Sequence, residues 1–148
     1  MGLDMFLSAK RYISPYDEKD ILISNKIREA SGETFDLSVK WLQFEAAYWR
    51  KSSEIHDWFV KNVQNGEDDC REYEVSHEEL QELLNTVNKV LENTSLANEL
   101  LPTTNGFFFG GVGYDQYYFD DLRYTKERLE YLLKNVSDAY WFTYRSSW

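Results

Sequence analysis

The segment Trp41–Val63, WLQFEAAYWRKSSEIHDWFVKNV, gathers three tryptophans, a tyrosine and two phenylalanines around a run of charged residues. Aromatic rings bury large areas at low entropic cost, so such a segment either organises a core or forms a recognition surface. Phe35, Leu37, Val39 and Trp41 alternate with Asp36, Ser38 and Lys40, which predicts a strand. From about Glu45 the spacing changes. Tyr48, Ser52, Ile55, Phe59 and Val63 recur at threes and fours, which predicts a helix continuing to Val63. A single helical stripe cannot turn rings at 48–49 and at 58–59 inward together. On that reading Trp49 and His56 lie along an adjacent edge, Arg50, Lys51 and Glu54 lie further round, and Trp58 is a second ring without an interior place. A ring, an imidazole and a guanidinium on one flank would stack on and hydrogen-bond a flat anionic ligand. The plainer alternative is that Trp49 and Trp58 complete the core and His56 bonds its own chain.

The rest of the chain specifies an α+β domain. Leu3, Met5, Leu7 and Ala9 alternate with polar neighbours and predict a strand with one buried face. Ser14-Pro15 predicts a helix start, Leu22, Ile23, Ile27 and Ala30 its apolar face, and Gly32 its end. Ser76-His77-Glu78-Glu79 reads as a capping box, with Leu80, Leu83, Leu84, Val87, Val90 and Leu91 as the stripe of a helix to about Glu92. Arg71–Val75 and Phe107–Phe109 read as short strands. A helix spans roughly 116 to 135, with a break near Thr125 left open, and Tyr140, Phe142 and Tyr144 mark a final strand. Strands that alternate are half-exposed and antiparallel, so the expected architecture is helices packed on a small, mainly antiparallel sheet. The expected organisation is a single globular domain over residues 1–148.

Composition narrows the function classes. Sixteen basic against 26 acidic side chains leave a formal charge of −10, which disfavours nonspecific nucleic-acid binding and anionic membranes. No apolar run approaches the roughly 18 residues of a membrane span. The start, MGLDMFLSAK, lacks the basic and apolar regions of a secretory leader. One cysteine, Cys70, and two histidines suit a reducing compartment and argue against a Cys/His zinc site; no cofactor or metal is expected.

Three further clusters bear on function. Asp68-Asp69-Cys70 reads as a solvated acidic turn, and with Asp120 and Asp121 it supplies the acidic surface through which such a protein would dock on a basic partner. Gly110-Gly111-Val112-Gly113-Tyr114-Asp115 lies between a strand and a helix. It lacks the Lys-Ser/Thr of a P-loop and the third glycine of a dinucleotide fingerprint. It reads as a turn, or as a ligand-binding loop using Tyr114, Tyr117 and the following helix N-terminus. His56 is the candidate acid/base, the better placed of the two histidines. The terminal Trp148 is expected to pack on the domain or on a second copy, which leaves a homodimer open.

GLDMFL at residues 2–7, YWRKSSEIHDWFV at 48–60 and LLPTTNGFFFGGVGYDQYYFDDL at 100–122 resemble a family of small proteins encoded by bacteriophages and prophages. That family is marked by an initial Gly-Leu-Asp-Met, a Trp-Arg-Lys…Ile-His…Trp-Phe-Val helix and a Leu-Leu-Pro…Gly-Phe-Phe-Phe-Gly segment. The resemblance implies a phage origin and expression in the cytoplasm of an infected bacterium; it carries over no site residue. Without a catalytic signature, the expected function is that of an accessory binding protein that inhibits a bacterial defence system, in the manner of an anti-CRISPR protein. It would bind a host or defence protein as an acidic mimic, or sequester a nucleotide-like signal. The alternative is a small enzyme acting on a nucleotide or sugar phosphate through His56.

Overall fold

The computed structural model describes residues 2–32, 36–106 and 110–148. The first strand, β1 (Asp4–Tyr12), forms where the alternation predicts it, and Leu3, Met5, Leu7 and Ala9 are all buried. After α1 (Glu18–Ser31) come β2 (Trp41–Arg50), α2 (Ser53–Asn62), β3 (Tyr73–Val75) and α3 (His77–Glu92). A 3₁₀ turn (Thr94–Leu96), the short α4 (Ala97–Leu100), α5 (Gln116–Asn135) and β4 (Trp141–Ser147) complete the chain. The strands form one antiparallel sheet in the order β2-β1-β4-β3, with β1 at the centre of the first three. Helices pack against it in an α+β fold. Their share of the core comes from Ile55, Trp58 and Phe59 of α2, the leucine–valine stripe of α3, and Tyr118, Leu122, Leu129 and Leu132 of α5.

Residues 45–50, expected to be helical, belong to a strand instead. The register between β1 and β2 shifts at Leu7/Ser8, so that Leu7 faces Ala47, Ser8 faces Glu45, and Ala46 is the extra residue of a bulge. The bulge buries Ala46, Ala47 and Trp49 together, which interrupts the period of two and imitates a helical spacing. The chain then bends at Lys51 and begins α2 two residues later. Seven of the ten α2 residues are buried. Trp49 therefore reaches the interior from the strand, and Trp58 and Phe59 reach it from the helix, so no single stripe has to hold all three rings. Residues 36–40 precede the strand, and Phe35 and Phe107–Phe109 lie outside the described residues.

Two other elements differ from expectation in instructive ways. α1 is capped by Asp17, whose carboxylate accepts from the Lys19 and Asp20 amides at 3.0 and 3.1 Å, and is closed by Gly32 at φ 72°. Its apolar residues do not enter the core, and Leu22 is 53% exposed. The buried residue is Asp20, which pairs with Arg11 and accepts from the Ser14 amide at 2.9 Å. A polar anchor, not an apolar stripe, orients this helix. α5 runs unbroken through Thr125, whose hydroxyl donates to the Asp121 carbonyl one turn back at 2.7 Å. α3 keeps its capping box, with the Glu79 amide donating to Ser76 Oγ at 3.1 Å and the Ser76 amide donating to Glu79 Oε2 at 2.8 Å.

Candidate functional site

The β2–α2 junction is held from the core side. The Trp49 indole, 2% exposed, donates to Thr125 Oγ1 of α5 at 2.8 Å and so fixes the last turn of the strand. Alternation then turns Arg50 outward, where its guanidinium lies 3.9 Å from Asp4. Lys51 adopts φ 60°, a left-handed conformation that costs a β-carbon residue about 1 kcal/mol or more. Its amide donates to the Leu3 carbonyl at 2.8 Å, and its carbonyl accepts from the Ser53 amide at 3.1 Å. Two glycines give it room. A Cβ on Gly2 would come within 3.0 Å of Lys51 Cε, and one on Gly110, at φ 85°, within 3.2 Å of Lys51 Cβ. The Lys51 ammonium has no hydrogen bond or ion pair among the described residues.

Around this bend lies a cleft of about 310 Å³. Arg50 and Lys51 form one wall, and Gly110, Gly111 and Gly113 with Thr103 form a second. The start of α5 contributes Asp115, Tyr117, Tyr118 and Asp121, and the first turn of α2 contributes Glu54. Ser52 is the N-cap residue of α2, yet its side chain caps no amide. Its hydroxyl instead donates to Glu54 Oε1 at 2.9 Å. Glu54 and Asp121 thus line one cleft from different elements.

The electrostatics of the cleft follow from burial. Glu54 is 4% exposed, and loss of solvent raises its carboxyl from about 4.5 to about 7, with Asp121 and Asp115 adding repulsion. The Asp121 carboxyl rises to about 6 for the same first reason, with the nearby Ser52 hydroxyl pulling the other way and Asp120 and Asp115 adding repulsion. Burial, then the nearby Glu54, pushes the Tyr118 phenol well up, so it stays protonated and donates to the Leu101 carbonyl at 2.9 Å. A cation with no partner among the described residues, a buried Glu54, a half-buried Asp121 and an exposed ring thus share one concavity. Convergence of that kind is the usual mark of a ligand site.

Of the residues expected from sequence to bind, the structure brings Arg50, Tyr117 and Asp121 together in this cleft and places the others elsewhere. Trp49 and Trp58 are core residues, with Trp58 edge-on to Phe59 at 5.4 Å. His56 is 3% exposed and held between Tyr144 Oη at 2.7 Å and Asp68 Oδ1 at 3.0 Å. The Asp68 carboxylate can only accept, so Nε2–H donates to it, and Nδ1 shares the other hydrogen bond with the Tyr144 hydroxyl. Both ring nitrogens of His56, the acid/base candidate, are engaged inside the fold. Tyr114 donates to Asn98 Oδ1 at 2.9 Å and packs edge-on against Tyr118, and does not line the cleft.

The acidic residues are tied into the chain. Asp68 also accepts from the Trp148 indole at 3.3 Å, so the C-terminal ring packs against its own domain, as one of the two sequence-based expectations had it. Asp69 pairs with Arg71 at 2.6 Å and accepts from the Tyr73 hydroxyl at 3.0 Å, and Asp120 pairs with Arg123 at 2.6 Å. Cys70 is a free, exposed thiol. Among the described residues no group of three or more His, Cys, Asp or Glu is placed to hold a metal ion, and no helix is long and apolar enough to cross a membrane.

Sequence reasoning missed Ser52, Glu54 and Asp115 as site residues. A signal was present. Two serines followed by a glutamate, directly after a charged pair, mark a helix start, and that start is hidden if the helix is taken to begin at Glu45. The chain matches no family model, no curated protein and no solved structure.

Proposed function

We propose that this protein binds a phosphorylated, nucleotide-like small molecule in the β2–α2 cleft, and that it serves a phage by withholding such a signal from a bacterial defence system. The observation that carries the reading is Lys51: a lysine kept in a left-handed conformation, between two glycines that only just clear it, with its ammonium unpaired among the described residues and beside Arg50. A backbone outlier at a cleft is a feature that binding sites retain at the expense of stability. Arg50 and Lys51 supply the charge for a phosphate. The glycines let a ligand approach the main chain. Tyr117, 81% exposed at the rim, offers a face to a base, and Glu54, Asp115 and Asp121 offer hydrogen bonds to hydroxyl or amino groups. Docking on a host protein as an acidic mimic draws support from the −10 charge, but less from the local geometry, because Asp68, Asp69 and Asp120 already have partners in the chain.

Thermal unfolding with the four ribonucleoside 5′-monophosphates and ribose 5-phosphate tests this reading. At one hundred times Kd a bound ligand adds about 2.7 kcal/mol, a rise of roughly 5–10 °C for a domain of this size. Lys51→Met and Tyr117→Ala should each remove most of that rise without lowering the melting point of the free protein. If none of these phosphates raises the melting point, the proposal falls.

A further inference from the structure

β2 is one edge of the sheet, and its register fixes which main-chain groups face away from β1. The Ile13 amide donates to the Lys40 carbonyl at 2.9 Å, so Lys40, Leu42 and Phe44 turn their main-chain groups toward β1. Trp41 and Gln43, between them, turn theirs outward. On both sides of that pair the edge is blocked. The Val39 amide donates to Ser24 Oγ of α1 at 3.2 Å. Past the bulge, the Ala46 carbonyl accepts twice from the Arg128 guanidinium of α5, at 2.9 and 2.6 Å, and the Tyr48 amide donates to Tyr124 Oη at 3.1 Å. The amides and carbonyls of Trp41 and Gln43 have no partner among the described residues. Side chains of two helices thus close the edge at either end and leave a short window, Trp41 to Gln43.

Rings crowd this window on both faces of the sheet. Trp41 lies edge-on to Tyr12 at 5.1 Å and to Trp141 at 5.3 Å on the outer face. On the helix face Phe44 meets Tyr140 at 5.9 Å, beside a groove that Tyr131 also lines. Tyr12, Trp41, Phe44 and Tyr131 are each 41–55% exposed.

We propose that the window pairs with the same window of a second copy, antiparallel about a two-fold axis at Leu42, and joins two four-stranded sheets into one. In that register Trp41 lies opposite Gln43 of the copy, so each open amide meets an open carbonyl and all four groups are used on both chains. Length favours a copy over a foreign strand. A strand of the ordinary five or six residues would run into the blocked stretches, whereas a second copy brings a window that matches. Area agrees. At about 200 Å² per ring, four half-exposed rings offer roughly 400 Å² on each chain, or about 800 Å² in a pair. The paired main chain with Leu42 adds to that, and a specific interface needs about 1,000 Å². A two-fold contact closes on itself, and the opposite edge, β3, is only three residues long, so assembly stops at two chains. The charge of −10 on each chain opposes pairing, so salt should tighten it. The proposal is independent of the ligand assigned to the β2–α2 cleft.

Sedimentation equilibrium of the full chain from about 10 to 500 µM, the range suited to a small interface, tests it at low and at high salt. The mass should climb from one chain to two, at several-fold lower concentration in about 0.5 M than in about 0.05 M sodium chloride. Gln43→Pro removes an outward amide and leaves the ladder to β1 intact. Trp41→Lys sets a charge beside the axis. Each variant should remain a single chain throughout. Their melting points report folding, and one folded variant suffices. A wild type that stays a single chain at the highest concentration in both salts overturns the proposal and leaves the window to a foreign strand. A dimer that either folded variant keeps also overturns it, as does assembly beyond two chains.

Discussion

His56 and Glu54 sit two residues apart on one helix, and each is nearly sealed from solvent, yet their surroundings are opposite. Around His56 every polar atom is answered from within the chain: Tyr144 on one ring nitrogen, Asp68 on the other, and Trp148 completing Asp68. Around Glu54 the groups converge without cancelling. Two carboxyls line one cleft and only Glu54 is held by the Ser52 hydroxyl, a lysine has no partner among the described residues, and glycines leave space in front of it. Buried polar groups that are fully paired hold a fold together. Those left incompletely paired around a cavity cost stability, and a ligand is what completes them. The comparison teaches that burial of a titratable residue says little about function until its partners are counted.

The largest expected effect is on the closed side of the comparison. His56→Ala removes a buried ring and strands the Tyr144 hydroxyl and Asp68, so it should cost about 3 kcal/mol in urea unfolding. It should leave the ligand-induced melting-point rise of the folded variant unchanged. A loss of ligand response with stability intact would reverse the roles assigned to the two regions.

Next in size is the pH dependence of the open side. The folded-state value of Glu54, about 7, lies above its ordinary 4.5, so the folded protein keeps a proton that the unfolded chain releases. Its contribution is fully present below about pH 4.5 and is lost as the pH climbs through 7. Asp121, raised from 3.8 to about 6, acts in the same sense over a slightly lower window. Glu54→Gln removes the titration. Relative to the wild type, its stability should therefore rise by roughly 2–3 kcal/mol between pH 4.5 and pH 8. Parallel pH profiles for the two proteins would show that Glu54 is not held as an acid.

A smaller effect separates stability from function at one position. Lys51→Gly relieves the left-handed strain and should stabilise the protein by about 0.5–1 kcal/mol, while abolishing the response to nucleotide. Smaller still, on the side of the molecule that has no part in the cleft, Ser76→Ala should cost about 1 kcal/mol or less through loss of the α3 cap and leave the ligand response unaltered.

What could be read in the sequence divides along the same physical line. β1, α3 and α5 were legible because each buries a regular stripe whose period is set by its own backbone. β2 was not, because a bulge at Ala46 turns a strand's alternation into something close to a helix's spacing, and two alanines add helix propensity to the disguise. The apolar residues of α1 suggested a core helix, but Asp20 and its pairing with Arg11 decide where that helix sits, and a charge pair nine residues apart leaves no periodic trace. Within the site, Arg50, Tyr117 and Asp121 stood out singly as aromatic or charged residues. Their meeting depends on Gly2, Lys51 and Gly110 packing together across more than a hundred residues of chain, which no local pattern encodes.

The central claim is that the β2–α2 cleft, and not the His56 cluster, receives the ligand. Backbone amide NMR during titration with a ribonucleoside 5′-monophosphate addresses it residue by residue. The account predicts the largest shifts at Arg50–Glu54, Gly110–Gly113 and Asp115–Asp121, with His56, Asp68 and Tyr144 nearly still. Shifts centred on His56 and Asp68, or none anywhere at millimolar nucleotide, would contradict it.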